Sequence, residues 1–538
     1  MSATWRTQPK ARTILLEELY QFYITNWQEM LGQLGQHLFL TGVAIFIASG
    51  LGVPTGLLLT RSDSLSGPVL GFTGVLQTIP SLALLGFLIP FTGIGEWPGI
   101  IALFLYALLP IVRNAYTGVV EVDPAVREAA YGMGMRDRQV LSKVELPLAL
   151  PVLFAGIRTA TVITVGIATL AALVGAGGLG VYIFRGISLN NSVMILAGAL
   201  PAAALALVLD GILAIIQKFI RSWGGYIILL LFLVAAGAIL WRVIPGVGGG
   251  DKPTIGMMSE FMERPDGFKG LKKTYNLTVQ PREMMHGLKY QALKQGRLNA
   301  IIGYSTDGEI ARFGFHVLED DKNYFPPYEV APLVRLETLE QYPQIADILN
   351  KLGGKLSNET MADLNARMDD AQTSARSIAS DWLQQQGFRT DRDNKGTPDI
   401  VIGSKVFAEQ YILAEMFGLL IENYSDLNVK LNTGLGGTQI CFTALEEGDI
   451  DLYPEYSGTA FINLLEVDPE LEDSLIRKKD ALFDFTQQAL QQRYEMQFLS
   501  PLGFNNTYAV VLPGKFKGKL STISQWQQWL QKQQESEN

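Results

Sequence analysis

The stretch YIILLLFLVAAGAILW (226–241), followed by RVIPGVGGG (242–250) and DKPTIGMM (251–258), divides this sequence into two chemically different halves. Residues 1–250 carry 14 basic and 11 acidic side chains, whereas residues 251–538 carry 29 and 41. The mean hydropathy of +0.19 therefore averages a charge-poor, apolar half and an ordinary acidic one. A chain of 538 residues is expected to hold more than one domain, and the seam falls at Gly250. The net charge of −9 argues against a nucleic-acid partner, whose phosphates demand positive charge. Cys441, the single cysteine, excludes a disulfide framework and a multi-cysteine metal site. His37, His286 and His316 are isolated in the sequence and show no metal-ligand spacing, so no metal is expected.

A membrane crossing needs about 20 mostly apolar residues to span roughly 30 Å of hydrocarbon. Such runs lie at 39–60, 68–91, 94–112, 152–176 and 192–216, with a shorter sixth at 226–241. They are rich in Gly, Ala, Ser and Thr, which lets helices approach closely in lipid. An α-helical transmembrane bundle is expected over 39–225. Before it comes a polar, amphipathic N-terminal segment, 1–38, without the early apolar core of a signal peptide. Residues 226–250 then form an extra transmembrane helix and linker, and residues 251–538 a second domain.

Basic residues follow the odd-numbered runs: Arg61; Arg113, Arg127, Arg136, Arg138 and Lys143; Lys218 and Arg221. Placing these loops in the cytoplasm puts the N-terminus outside, against the minor dissent of Arg6, Lys10 and Arg12. Six crossings then deliver residues 245–538 to the outer, periplasmic face of a bacterial inner membrane.

The loop EAAYGMGMRDRQVLSKVELPLALP (128–151) reads as an amphipathic helix with basic residues, a break at Gly134, and a second helix ended by Pro147. That describes a rigid docking element, and equally a helix lying on the headgroups. Glu128, Ala129, Ala130, Gly134 and Leu146-Pro147 resemble the signature loop of the membrane subunits of ATP-binding-cassette importers, with the likeness extending over about 30–225. The resemblance implies that this loop seats on an ATPase. No GxxxxGK[ST] phosphate loop occurs, and GLGGTQ (434–439) lacks the lysine that would reach the phosphates. ATP and Mg are thus expected on a separate ATPase subunit, with no cofactor in this chain.

Beyond Gly250, apolar runs at 254–258, 298–303, 399–403, 427–432 and 508–512 alternate with helix-length stretches at 359–367, 371–386 and 406–423, the signature of an α/β domain. The segments EFMERPDGFKGLKKTY (260–275), YSTDGEI (304–310), LEDDKNYFPPYEVAPLV (318–334), GSKVFAEQYILAE (403–415), TGLGGTQICFTAL (433–445), IDLYPEYSGTA (450–460) and LGFNNTYAV (502–510) resemble the glycine betaine, choline and carnitine binding proteins of osmoprotectant importers. The resemblance implies a two-lobed, periplasmic-binding-protein-like domain. Its order departs from the family: 254–388 resembles the second half, RTDRDNKGT (389–397) is a polar linker, and 398–530 resembles the first half. The domain looks circularly permuted, which is tolerable when natural termini lie close together. One lobe is then contiguous, roughly 306–504, and the other split between 254–305 and 505–538. Closure within one chain or between two protomers is left open.

A quaternary ammonium group has no N–H, so it is recognised by aromatic faces at about 0.5–2 kcal/mol each. Carried over by motif, the resemblance implies a cage of Tyr304, Tyr328, Tyr456 and Tyr508, with Asn506 beside it. Lys405, Thr459 and Arg264 would receive a ligand carboxylate, Arg264 by both oxygens. Plainer readings stand beside these. A strand-end tyrosine is more often core, Lys405 reads also as a solvated charge, and Arg264 as the partner of Glu263 or Asp266. Asp307 is expected to fix a hinge, and Cys441 to fill core.

The chain is thus expected to be the permease and substrate-binding subunit of an ATP-driven importer of quaternary ammonium solutes, rather than an enzyme. Two copies and two ATPase subunits are expected. Ergothioneine, a trimethylated betaine imported by fused relatives, is the alternative solute. A non-transporting transmembrane receptor is the alternative of another class.

Overall fold

The computed structural model describes residues 9–189, 191–243, 253–368, 373–392, 396–465, 467–468, 471 and 474–537. Two compact units divide the chain at residues 251–252. The glycine linker 246–250, Arg6 and part of the 389–397 linker lie outside the described residues.

The first unit is helical: α1 (Pro9–Leu59), α2 (Asp63–Thr78), α3 (Ser81–Thr92), α4 (Glu96–Val120), α5 (Pro124–Gly132), α6 (Asp137–Val140), α7 (Leu146–Ala168), α8 (Gly180–Ser188) and α9 (Ser192–Val243). Among the described residues, four helical stretches are long and apolar enough to cross a membrane, or five if α2 and α3 count as one bent span. Glycines let the bundle close. A Cβ on Gly56 of α1 would lie 2.6 Å from Ala115 of α4, and one on Gly156 of α7 2.6 Å from Asn114.

Four expectations need correction. The segment 9–38 is continuous with the first crossing, with only a local departure at Asn26 (φ −109°), whose side-chain amide donates to the Phe22 carbonyl at 3.0 Å. The run 68–91 is broken by a 98° bend, because Pro80 forces Ile79 into extended backbone. The runs 192–216 and 226–241 belong to one uninterrupted 52-residue helix, since Gly224-Gly225 without a proline does not stop it. Finally, Pro147 does not end a helix. The π-turn Leu141–Glu145 widens the backbone just before it and leads straight into α7, at whose first turn a missing N–H is harmless.

The second unit has two five-stranded sheets. The first runs in the order β2 (Gln280–Glu283), β1 (Thr254–Met257), β3 (Ala300–Tyr304), β10 (Tyr508–Leu512), β4 (His316–Val317). The second runs β7 (Val429–Gly436), β6 (Ile400–Lys405), β8 (Leu452–Tyr456), β5 (Val330–Arg335), β9 (Met496–Phe498). In each, three strands are parallel and the fourth is antiparallel. That fourth strand always comes from the other segment: β10 enters the sheet of residues 254–317, and β5 enters the sheet of residues 400–498. The two segments therefore interlock within one chain. Because β4 pairs with β10, residues 306–317 belong to the first sheet, so the contiguous lobe begins later than residue 306.

The second sheet is buried on both faces, with Ile402 and Leu452 against Leu413 and Phe417 on one side and Leu333 and Tyr453 against Cys441 and Phe461 on the other. Cys441 fills core as expected. Pro332 and Pro454 stand opposite each other in β5 and β8. The Pro332 carbonyl accepts from Leu499 N–H at 2.9 Å, and the Pro454 carbonyl from Gln410 Nε2 at 2.8 Å. Each proline's missing donor thus points away from the other strand, which is how a sheet interior tolerates it.

Candidate functional site

Of the expected ATPase-coupling residues, three lie on the short helix α5, Gly134 lies just beyond its end, and Pro147 lies in the first turn of α7. Glu128, Ala129 and Ala130 lie on α5, capped at its start by the Asp123 carboxylate and at its end by Gly134 in the left-handed region (φ +80°). Ala130 is buried, while Glu128, Ala129 and Gly134 are exposed. A residue not singled out from the sequence holds this element in place. Glu145, fully buried, accepts a hydrogen bond from Arg61 Nη2 and forms an ion pair with Arg127 Nε, each at 2.7 Å. Arg127 also donates to the Val119 carbonyl at 3.0 Å. The loop is thereby tied to the ends of α1 and α4.

In the second unit the two crossovers between sheets carry the site. Residues 318–329 lead from β4 to β5, residues 499–507 return from β9 to β10, and an antiparallel bridge joins Glu329 to Asn505. Tyr328 and Asn506 sit on these crossovers, the Asn506 N–H donating to the Tyr328 carbonyl at 3.2 Å. Tyr304 ends β3 directly opposite Tyr508, which begins β10. Tyr456 ends β8 opposite Val330.

Three of the four tyrosines meet. Tyr304 and Tyr508 have ring centroids 5.1 Å apart, and Tyr328 meets Tyr508 edge-on at 5.6 Å. Tyr456 joins them through Phe407, which stacks on Tyr304 at 5.4 Å and on Tyr456 at 6.4 Å. Phe407 falls inside the stretch 406–423 expected to be helix, where pattern alone does not separate a site ring from core; the helix begins one residue later, at Ala408. Burial pushes all four phenols above their ordinary pKa, so each is a neutral hydroxyl donor at neutral pH.

The charged groups are more occupied than the sequence suggests. Arg264 places its fork on Asp266, with Nε–Oδ1 at 2.8 Å and Nη2–Oδ2 at 2.6 Å, so the plainer pairing with Asp266 is the one formed. Its Nη1 reaches Glu260 at 3.3 Å, and the guanidinium lies 5.3 Å from the Tyr508 ring centre. The Tyr328 hydroxyl donates to the same Asp266. Thr459, buried on the helix Ser457–Asn463, lies 3.5 Å from Arg264 Nη2. Lys405 is not a solvated charge. It is buried, with Nζ 2.6 Å from Glu455 and 4.9 Å from the Tyr456 ring centre. Asn506 donates to Glu409 at 2.9 Å, while its Oδ1 has no partner among the described residues.

Asp307 fixes a turn, its Oδ2 accepting the Tyr304 N–H at 2.8 Å and the Tyr290 hydroxyl. His286, isolated in sequence, comes within 3.5 Å of Asp307 and near Glu309. Burial and the Lys289 charge push its pKa down to about 4. The same lysine opposes a metal cation there.

The comparisons decide the family. A family model described as the substrate-binding domain of ABC-type glycine betaine transport systems matches residues 247–385 and 398–536. The chain belongs to this family. Ahead of its binding domain, a second model, the inner-membrane component of binding-protein-dependent transport systems, matches residues 50–242. This family member is thus an inner-membrane permease fused to a binding domain.

Its permease part is 42% identical over 209 residues to a glycine betaine/carnitine/choline transport system permease of Bacillus subtilis, covering 39% of this chain and 96% of that one. It is 47% identical over 195 residues to a carnitine transport permease of Listeria monocytogenes, covering 36% and 89%. An osmoprotectant import permease of Salmonella typhimurium is 48% identical over 194 residues, covering 35% and 90%. A crystal structure of a glycine betaine/carnitine/choline ABC transporter aligns at 36% identity over 26% of this chain and 50% of that one, with a TM-score of 0.22.

Proposed function

We propose that this chain imports quaternary ammonium solutes of the glycine betaine, choline and carnitine class, as the fused transmembrane and substrate-binding subunit of an ATP-driven transporter. One observation carries the reading: five rings, Tyr328, Tyr508, Tyr304, Phe407 and Tyr456, run in continuous contact across the crossovers between two sheets. Rings contributed by both lobes converge when the lobes close, and their faces hold a cation that cannot donate a hydrogen bond. Lys405 spends one of its three protons on Glu455 and keeps two for a ligand carboxylate. Thr459 and the loosely held Nη1 of Arg264 add further donors.

The ATPase, with its ATP and Mg, is a separate subunit seated on α5, which exposes Val126 and Tyr131, with Met133 exposed just past its end. Two copies of the chain and two ATPases line and drive the path. The binding unit works on the outer face, and its segments follow a circularly permuted order within residues 251–538. The outer placement is drawn from the Lys and Arg of the odd-numbered loops, which put the N-terminus outside.

Calorimetry on the full chain in lipid nanodiscs, titrated with choline, glycine betaine and carnitine, tests the reading. Binding of at least one is expected; binding of none overturns it.

A further inference from the structure

Among the described residues, most buried charges of the binding unit have an ion-pair partner. Arg264 lies on Asp266, Lys405 on Glu455, Glu422 on Arg376 and Glu329 on Lys479, while Lys289 lies over the Tyr290 and Tyr304 rings instead. Glu409 is 1% exposed and, among the described residues, has no Lys, Arg or His partner. Its carboxylate is held instead by neutral donors. The Tyr456 hydroxyl lies at 2.6 Å, Thr306 Oγ1 at 2.7 Å, Asn506 Nδ2 at 2.9 Å and Asn365 Nδ2 at 3.3 Å. Such donors solvate an anion locally without balancing its charge. The start of the helix Ala408–Tyr424, where Glu409 sits, offsets about half an elementary charge at most.

The fold places this charge behind the ring assembly. Tyr456 ends β8 of the second sheet, Thr306 follows β3 of the first, and Asn506 lies on the returning crossover. A phenol that donates to a carboxylate becomes richer in electrons, and its face then attracts a cation more strongly.

We infer that Glu409 is the counter-charge for the ammonium group of the ligand, acting through the Tyr456 phenol as a positioning and specificity residue that favours ligands of net positive charge. The inference rests on the solute reading above. Choline carries an unbalanced positive charge, whereas glycine betaine brings its own carboxylate toward Lys405, so the two ligands depend on Glu409 to different degrees.

The test uses the full chain in nanodiscs with three probes: choline, glycine betaine, and 3,3-dimethylbutan-1-ol, the uncharged carbon isostere of choline. Glu409→Gln keeps the size and an accepting oxygen but removes the charge. It is expected to weaken choline by about ten-fold or more and the isostere by less than about three-fold, with glycine betaine between. Thr306→Val, which removes one donor and keeps the charge, is expected to leave the choline-to-isostere ratio unchanged. Should Glu409→Gln fail to fold, Glu409→Asp is expected to preserve the choline preference. Equal weakening of choline and isostere by Glu409→Gln, or loss of the preference in Glu409→Asp, overturns the counter-charge. Wild-type protein that binds neither choline nor glycine betaine instead overturns the solute reading itself.

Discussion

Replacing Lys405 with Met separates its two roles, because the substitution keeps the length of the side chain and deletes the charge. Lys405 Nζ lies 2.6 Å from Glu455 Oε1, with side-chain exposures of 6% and 0%. Without the ammonium, Glu455 keeps, among the described residues, the Tyr453 hydroxyl at 2.8 Å and the Tyr456 N–H at 2.6 Å. Removing one partner of a buried ion pair costs about 3–5 kcal/mol, since the other is left charged and unpaired. Adding Glu455→Gln removes the stranded charge, so the double variant is expected within about 2 kcal/mol of wild type, about 1–3 kcal/mol more stable than Lys405→Met alone. Hydrogen exchange on peptides spanning β6 and β8, in the full chain, reads the opening free energy of this sheet locally. Calorimetry on the same variants is expected to show glycine betaine weakened more than choline. A Lys405→Met chain that loses less than about 1 kcal/mol, or that Glu455→Gln fails to rescue, refutes the reasoning.

Tyr456→Ala deletes a ring face worth about 0.5–2 kcal/mol to a cation, so choline is expected to bind roughly 2–30-fold more weakly; unchanged affinity by calorimetry takes Tyr456 out of the cage. Glu145→Gln frees Arg61 and Arg127 and loosens α5 from the ends of α1 and α4, so solute-stimulated ATP hydrolysis is expected to fall while solute affinity holds; an unchanged coupling ratio counts against the tie. His286 has a folded pKa of about 4 against 6.5 when unfolded, so below pH 6.5 the unfolded chain takes up a proton that the native chain refuses. Its share of stability is complete above pH 6.5 and is lost as pH falls toward 4, by up to about 3 kcal/mol. A His286→Gln variant is expected to flatten that part of the pH curve, and superimposable curves refute the assignment. A protease site inserted in 246–250 is expected to be cut from the periplasmic side; cleavage only from the cytoplasm removes the outer placement of the binding unit.

Legibility in the sequence followed local chemistry. YAVVL at 508–512 is a strand to the residue, 254–258 holds one, and 399–403 and 427–432 each overlap one that runs further toward the C-terminus, because their β-branched and apolar runs end in turn residues. β5 and β8 stayed hidden, since Pro332 and Pro454 argue against strands until their opposed register is known. Helix 406–423 was readable, but not the inward aim of Glu409, which depends on donors from four distant segments. Motifs named Tyr304, Tyr328 and Tyr508 and these meet, whereas the choice between a ligand carboxylate, Glu263 and Asp266 for Arg264 is settled by a turn that is invisible in a pattern. Proline again misled at 147, where a widened turn absorbs it.

The exchange of fourth strands also sets a timetable for synthesis. β3 leaves the ribosome at residue 304, yet the neighbour that covers its open edge begins at residue 508. At about 5–20 residues per second the nascent polypeptide waits roughly 10–40 s with that edge bare. β4 has nothing to pair with over the same interval. Translation speed across 305–507, and any chaperone that shields the waiting edge, are therefore part of how this molecule reaches its native state.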